Sequence, residues 1–374
     1  MQRLIPAAVL ALALLGPTAM TVAAQSSYSS NAQHALQWLQ CTQQQPNGQI
    51  GNGGNPIARS SEVALGLAAA GLSASAMRSG ATSLADYLKT AVSTDVGTNG
   101  ELLLARASQK GAGSTATVAA QLQASKSTTG ATAGEYGSDI FPDALAILGL
   151  RAAGQLVGQD AVAFLQGQQK SDGGWSADNA DAYGTDSNTT ALVIQALISS
   201  GVATTDSSIA SGFGYLQSVF GQGGFENSPG SAPDPNSNEL AIQAIRAANR
   251  QGDAAWATML NQALRYLAGE QIASGANAGA IANSYSKLFA TTYAPAAFLL
   301  RPLTEIGLAD GQVSLLPCVA TSAATPASHP TQAAVALLAR TGAPTDDRPM
   351  AAGLLVLLLG IAFMARSRGR VPRS

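Results

Sequence analysis

The sequence predicts an all-α protein whose body is a ring of six helix pairs, bracketed by an export signal and a C-terminal anchoring signal. Three observations predict this. A helix–turn–helix unit recurs along the chain, its turn is punctuated by glycine, and short apolar runs stand at both ends.

At the amino end, Arg3 precedes a thirteen-residue, almost wholly apolar stretch from Leu4 to Gly16, and small residues follow, ending Val22-Ala23-Ala24. A basic start, a short apolar core and a small-x-small site before Gln25 meet the physical requirements of a cleavable secretory peptide. Residues 1–24 are therefore expected to be a signal peptide.

The body after that signal is periodic. Its unit is an amphipathic helix ending in Leu and polar residues, a Gly-rich turn, then a more apolar helix ending in Gly. One copy reads Ala35-Leu36-Gln37-Trp38-Leu39-Gln40, a turn at Asn47-Gly48-Gln49-Ile50, and Val63-Ala64-Leu65-Gly66-Leu67 to Gly71. A second reads Ala163-Phe164-Leu165-Gln166, Asp172-Gly173-Gly174-Trp175, and Thr190-Ala191-Leu192 to Gly201. A third has Tyr215-Leu216-Gln217, Gly223-Gly224-Phe225, and Leu240 to Ile245. Fainter copies centre on Leu88, Leu122 and Leu267. The six marker leucines (39, 88, 122, 165, 216, 267) fall at intervals of about 34 to 51 residues, the range of stacked helix pairs that bury their faces on neighbours. Six pairs suit a closed ring with the apolar second helices inside.

Composition agrees and excludes. Charged residues are 11% and the net charge is −2, so no basic patch points to nucleic acid and no acidic face to cations. Hydrophobic content is 46%, much of it Ala, with 39 Gly, which lets helices pack closely. The two cysteines, Cys41 and Cys318, are an isolated pair in an exported chain and are expected to be disulfide-bonded rather than two free thiols. With only His34 and His329 besides, no four-ligand zinc cluster forms at sensible spacing, and no metal is expected.

After residue 318 comes an Ala/Thr/Ser/Pro-rich linker to residue 337, then Leu338-Ala339-Arg340-Thr341-Gly342. The fifteen-residue apolar run Ala351–Ala365 comes next, closed by Arg366, Arg368, Arg370 and Arg373. Pentapeptide, apolar run and basic tail in this order resemble the LPXTG-like sorting signals cut by sortases. The resemblance implies cleavage between Thr341 and Gly342, with sortase and cell-wall peptidoglycan as partners. The alternative is a transmembrane tail held by its arginines, although fifteen residues is short of the roughly 20 a span needs. Either reading places the body outside the cytoplasm, at the wall or the outer face of the membrane.

The helix-pair units, with Gln168, Gln169, Gly173, Gly174 and Trp175 as their best signature, resemble the prenyltransferase and squalene-cyclase-type repeats of the α/α-toroid superfamily. The likeness covers about residues 31 to 305. It implies an α6/α6 toroid over 25–318, but fold does not determine function. Class II cyclases of that superfamily protonate an alkene with the middle Asp of an Asp-x-Asp-Asp-Thr-Ala motif. Here the stretch is Asp186-Ser187-Asn188-Thr189-Thr190-Ala191, and an amide has no acidic proton to give. Aromatic content of 5% is meagre for a carbocation cavity. Prenyltransferase β-subunits need an Asp, Cys and His zinc set, and complement-like relatives a Gly-Cys-Gly-Glu-Gln thioester. Neither is present. His34 in the first outer helix and His329 in the linker are not placed for a Ser-His-Asp triad. No catalytic residue is expected.

What remains is a concave mouth where the inner helices begin. Aligned by their terminal Gly, or by Asn249, the repeats put Ser60, Asp143, Thr190 and Asn238 at one position, with Glu62, Asp186, Asn188 and Glu239 beside them. Each fits simple helix capping; together they could form a polar ring over an apolar pocket. Gln195 and Gln243 either extend that site or hydrogen-bond between helices. The resemblance extends to vertebrate cobalamin carriers, so a corrinoid is one candidate ligand, although nothing after residue 318 matches their second, β-rich domain. The expectation is a surface-anchored, non-catalytic module that binds a small molecule. The competing readings are a structural or adhesive wall protein, or a divergent cyclase-like enzyme, which an acid pair facing the cavity would favour.

Overall fold

A computed structural model describes residues 18–305, 307 and 313–318, with side chains from residue 28 onward. Most of the expected signal peptide, the linker, the Leu338–Gly342 pentapeptide and the apolar run after it lie outside the described residues. The chain divides after Leu316 into two units, and all of the described helices belong to the first. The described residues are mostly helical, with 54% helix and 6% strand. Among the described residues no helix is long and apolar enough to cross a membrane.

Helix α1 runs Thr18–Trp38, continuous across the expected cleavage position after Ala24, and ends in a π-helical turn, Leu39–Gln43. Helices alternate thereafter: α2 (Pro56–Ala69), α3 (Leu84–Thr90), α4 (Val96–Ser108), α5 (Ala116–Ser125), α6 (Ile140–Ala152) and α7 (Gln159–Gly167). They continue as α8 (Ser187–Ser199), α9 (Ser207–Ser218), α10 (Pro235–Ala247), α11 (Ala254–Gly269), and two short pieces, α12 (Phe289–Thr292) and α13 (Ala294–Phe298). Three two-residue antiparallel ribbons sit in the connections: β1 (Arg78–Ser79) with β2 (Thr82–Ser83), β3 (Trp175–Ser176) with β4 (Thr185–Asp186), and β5 (Phe220–Gly221) with β6 (Gly224–Phe225).

Polar caps start the helices. Asn55, Ser83, Asp95, Asp186, Asp206, Asp234 and Asp253 each accept a backbone N–H of the first turn they precede, which satisfies donors the helix cannot. The two helix types differ in burial. Helix α11 buries Trp256, Met259, Leu260, Ala263, Leu264 and Leu267, one stripe at three- and four-residue spacing. Helix α10 buries every residue but Arg246, so it is enclosed on all sides. The even-numbered helices contact one another in sequence: α2 with α4, α4 with α6, α6 with α8, α8 with α10. Helix α10 then meets α13, and α13 meets α2. All six marker leucines, one per odd-numbered helix or its end, are buried.

Side chains repeat the same joints. The Nε2 of Gln44 donates to the carbonyls of Gly48 and Met77, and that of Gln169 to Gly173 and Ser208. Gln271 Nε2 donates to Gly279 and to Asn31 of α1. Each Gln thus ties its own turn to the segment of the next odd-numbered helix, and the turn after α11 is tied to α1. Gly279 (φ +94°) lies so close to α1 that a Cβ would stand 2.2 Å from the His34 carbonyl oxygen. Gly173 faces Ser211 of α9 in the same way. Close packing also joins α4 to α6, where a Cβ on Gly100 would meet the Leu145 carbonyl at 2.5 Å.

The segment leaving α13 crosses α6, α8 and α10. The Arg246 guanidinium donates to the Leu300 carbonyl, and the Leu303 N–H donates to Gln195 Oε1 at 2.9 Å. Cys41 and Cys318 are disulfide-bonded, as expected of the pair.

Candidate functional site

Ser60, Asp143, Thr190 and Asn238 make one and the same hydrogen bond. Their side-chain oxygens accept the backbone N–H of Ile50, Tyr136, Trp175 and Phe225, at 2.9, 2.7, 3.0 and 3.0 Å. Each acceptor therefore pins the large apolar residue that closes its turn onto the helix after it. Thr291 does the same for Ile281 at 2.9 Å, a fifth instance the terminal-glycine alignment did not include. A hydroxyl, an amide or a carboxyl serves equally, since only one acceptor oxygen is required. Asp143 is the costly version. Burial pushes its carboxyl up to about 8 despite the Tyr136 N–H, and Oδ2 has no partner.

Asp186 is the N-cap of α8, with Oδ1 accepting Thr189 N–H at 2.8 Å; burial raises it to about 6. Asn188 is half-buried and its Oδ1 lacks a partner. Gln195 is committed to the Leu303 N–H, whereas both polar atoms of Gln243 are buried without partners.

Glu62 and Glu239 belong to a different constellation. Glu62 on α2 neighbours Glu101 of α4 and Thr292, and each bears on its carboxyl. It also receives Arg59 Nη1 at 2.6 Å, while the Arg59 guanidinium lies over the Phe289 ring, 4.4 Å from its centroid. Tyr293 Oη, between α12 and α13, donates to Glu101 Oε1 at 3.3 Å. Four successive contacts thus gather groups from three segments around two carboxyls that are 1% and 5% exposed. Two buried carboxyls this close resist ionising together. Burial raises both; Glu62 adds to the rise of Glu101, and Arg59 opposes it for each.

Glu239 on α10 is fully enclosed, and neither carboxyl oxygen has a partner. Burial raises it well above the usual carboxylate range, and the charges of Asp234 and Glu62 raise it further. One helical turn later on the same face comes Gln243. Glu239 follows Asn238 by one residue; the same register position holds Ser61, Ala144, Ala191 and Thr292, all buried. The layer is small-residued except where Glu239 stands.

Sequence reasoning named Glu62 and Glu239 but omitted Glu101, Arg59, Thr292 and Tyr293. The repeat containing α3 and α4 has no Gly-rich turn, so alignment by glycine passed over it. The available signal was Glu101 within Gly100-Glu101-Leu102-Leu103-Leu104, a lone acid in an apolar helix. The acidic character is internal, where composition showed only the lack of an acidic face. No protein-family model matches this chain, and no curated protein matches it significantly.

Proposed function

We propose that this chain is an exported, surface-anchored α6/α6 toroid that binds a small molecule where its inner helices begin, without turning it over. One observation carries the reading: Glu239 and Gln243 present four buried polar atoms that no protein group satisfies. Native interiors pair such atoms, because leaving each one unpaired costs about 1–3 kcal/mol. A ligand that pairs them offsets that cost. The ring itself is supported by the contact series from α2 to α13 and back, and by the Gln271 and Gly279 joint to α1. Export is in keeping with the disulfide, since such bonds persist in oxidising compartments.

A corrinoid fits this interior poorly. The unpaired atoms sit among fully enclosed side chains, which suits a compact ligand better than a macrocycle. The enzyme reading has one observation in its favour, the Glu62–Glu101 pair. Yet burial raises both carboxyls, which makes them weaker acids, and protonating an alkene demands a stronger one. Native mass spectrometry of the protein recovered from its own host tests the proposal. A reproducible small-molecule adduct, lost on unfolding, is expected. Bare protein in every preparation would leave a structural wall protein as the better account.

A further inference from the structure

Resting on the ligand-binding reading, we infer that the ligand is a compact organic cation, a primary ammonium compound with further hydrogen-bond donors, held by Glu239 and Gln243 beside the Glu62–Glu101 pair. Three carboxyls gather here, and the Arg59 guanidinium acts on Glu62 and Glu101.

The unpartnered atoms of these two side chains are mostly acceptors: both oxygens of Glu239 and Oε1 of Gln243, with Gln243 Nε2 as the donor among them. Acceptors in excess ask for a donor-rich partner, and an ammonium supplies three donors with a charge that matches the carboxylate. Gln243 is an independent sign of a ligand, because an amide gains nothing from burial beside an acid unless something bridges them. The register positions equivalent to Glu239 are all fully enclosed, which restricts the ligand to a compact one.

Binding is a proton exchange. Neutral Glu239 gives up its proton to solvent, and the resulting carboxylate pairs with the ammonium, so one cation enters as one proton leaves. Affinity should therefore rise about tenfold per pH unit while Glu239 is protonated in the free protein.

The test is calorimetric titration of the full oxidised chain with ethanolamine, methylammonium, putrescine and spermidine, against ethylene glycol and glycolate. Paired buffers of different ionisation heat count the protons. At least one ammonium should bind with release of close to one proton, and the neutral and anionic probes should not. Glu239→Gln, nearly isosteric, should keep the fold by circular dichroism and lose at least tenfold in affinity along with the proton release. No binding by any ammonium, equal binding of ethylene glycol, or an unchanged Glu239→Gln would overturn the inference. A neutral or anionic adduct in the host-derived protein would overturn the cation while leaving the ligand-binding reading intact. Bare host-derived protein and silent titrations together would remove both.

Discussion

Gly279 offers the sharpest test of the proposed ring. Its φ of +94° is a conformation that a Cβ-bearing residue adopts at about 1–2 kcal/mol. Gly223 has φ +84° and open space around it, so Gly223→Ala should cost that much and no more. At Gly279 the added methyl would also stand 2.2 Å from the His34 carbonyl oxygen and 3.3 Å from Trp38 Cβ. Backbone cannot rotate away as a side chain can, so the turn and α1 must part, adding about 1–3 kcal/mol. That displacement also strains the two 2.9 Å bonds of Gln271 to Gly279 and Asn31. Gly279→Ala should therefore cost about 2–5 kcal/mol in total. Urea unfolding monitored by far-UV circular dichroism reads the difference as a lower midpoint at an unchanged slope. Equal midpoint shifts for the two variants would refute the argument, because the closing contact would then bear no energy.

The same structure predicts other outcomes. The Asp143 carboxyl is raised from 3.8 to about 8 in the folded chain, so the folded state binds the extra proton. The stability this represents is complete below the unfolded value near 4 and is lost as pH climbs to about 8. Asp143→Asn keeps an acceptor for Tyr136 N–H, as Asn238 does for Phe225, and should flatten that slope in thermal melts between pH 5 and 8; an unchanged slope would show that Asp143 is not its source. Reducing the disulfide should destabilise by about 5 kcal/mol in the chain-entropy model, since 277 positions separate Cys41 from Cys318. A melting temperature indifferent to reductant would count against that. Thr341→Ala should shift the protein from the wall to the medium or the membrane, which cell fractionation can track; persistent wall linkage would end the sortase reading.

The polar ring shows how a correct alignment can mark a structural device. Ser60, Asp143, Thr190, Asn238 and Thr291 share a register because each repeat must hold a backbone N–H at the close of its turn. Such a demand recurs with the repeat and leaves a periodic trace. A ligand does not recur, so the groups that would meet one are irregular: Glu239 and Tyr293 break the pattern of their own positions.

The sequence by itself determined the helical class, the helix–turn–helix unit with its buried marker leucines, and the pairing of the only two cysteines. These are local or compositional properties, read from three- and four-residue spacing, glycine turns and a count of two. Tertiary structure alone decided that Gln271 and Gly279 reach back to α1, that Gln195 is consumed by Leu303, and that Glu62 and Glu101 are buried side by side. Each of those depends on which helix stands beside which, and residues 39 or 108 positions apart carry no mark of their meeting. Burial is the reason the distinction matters. The same carboxyl is an ordinary acid at the surface, and resists ionising once helices have packed around it.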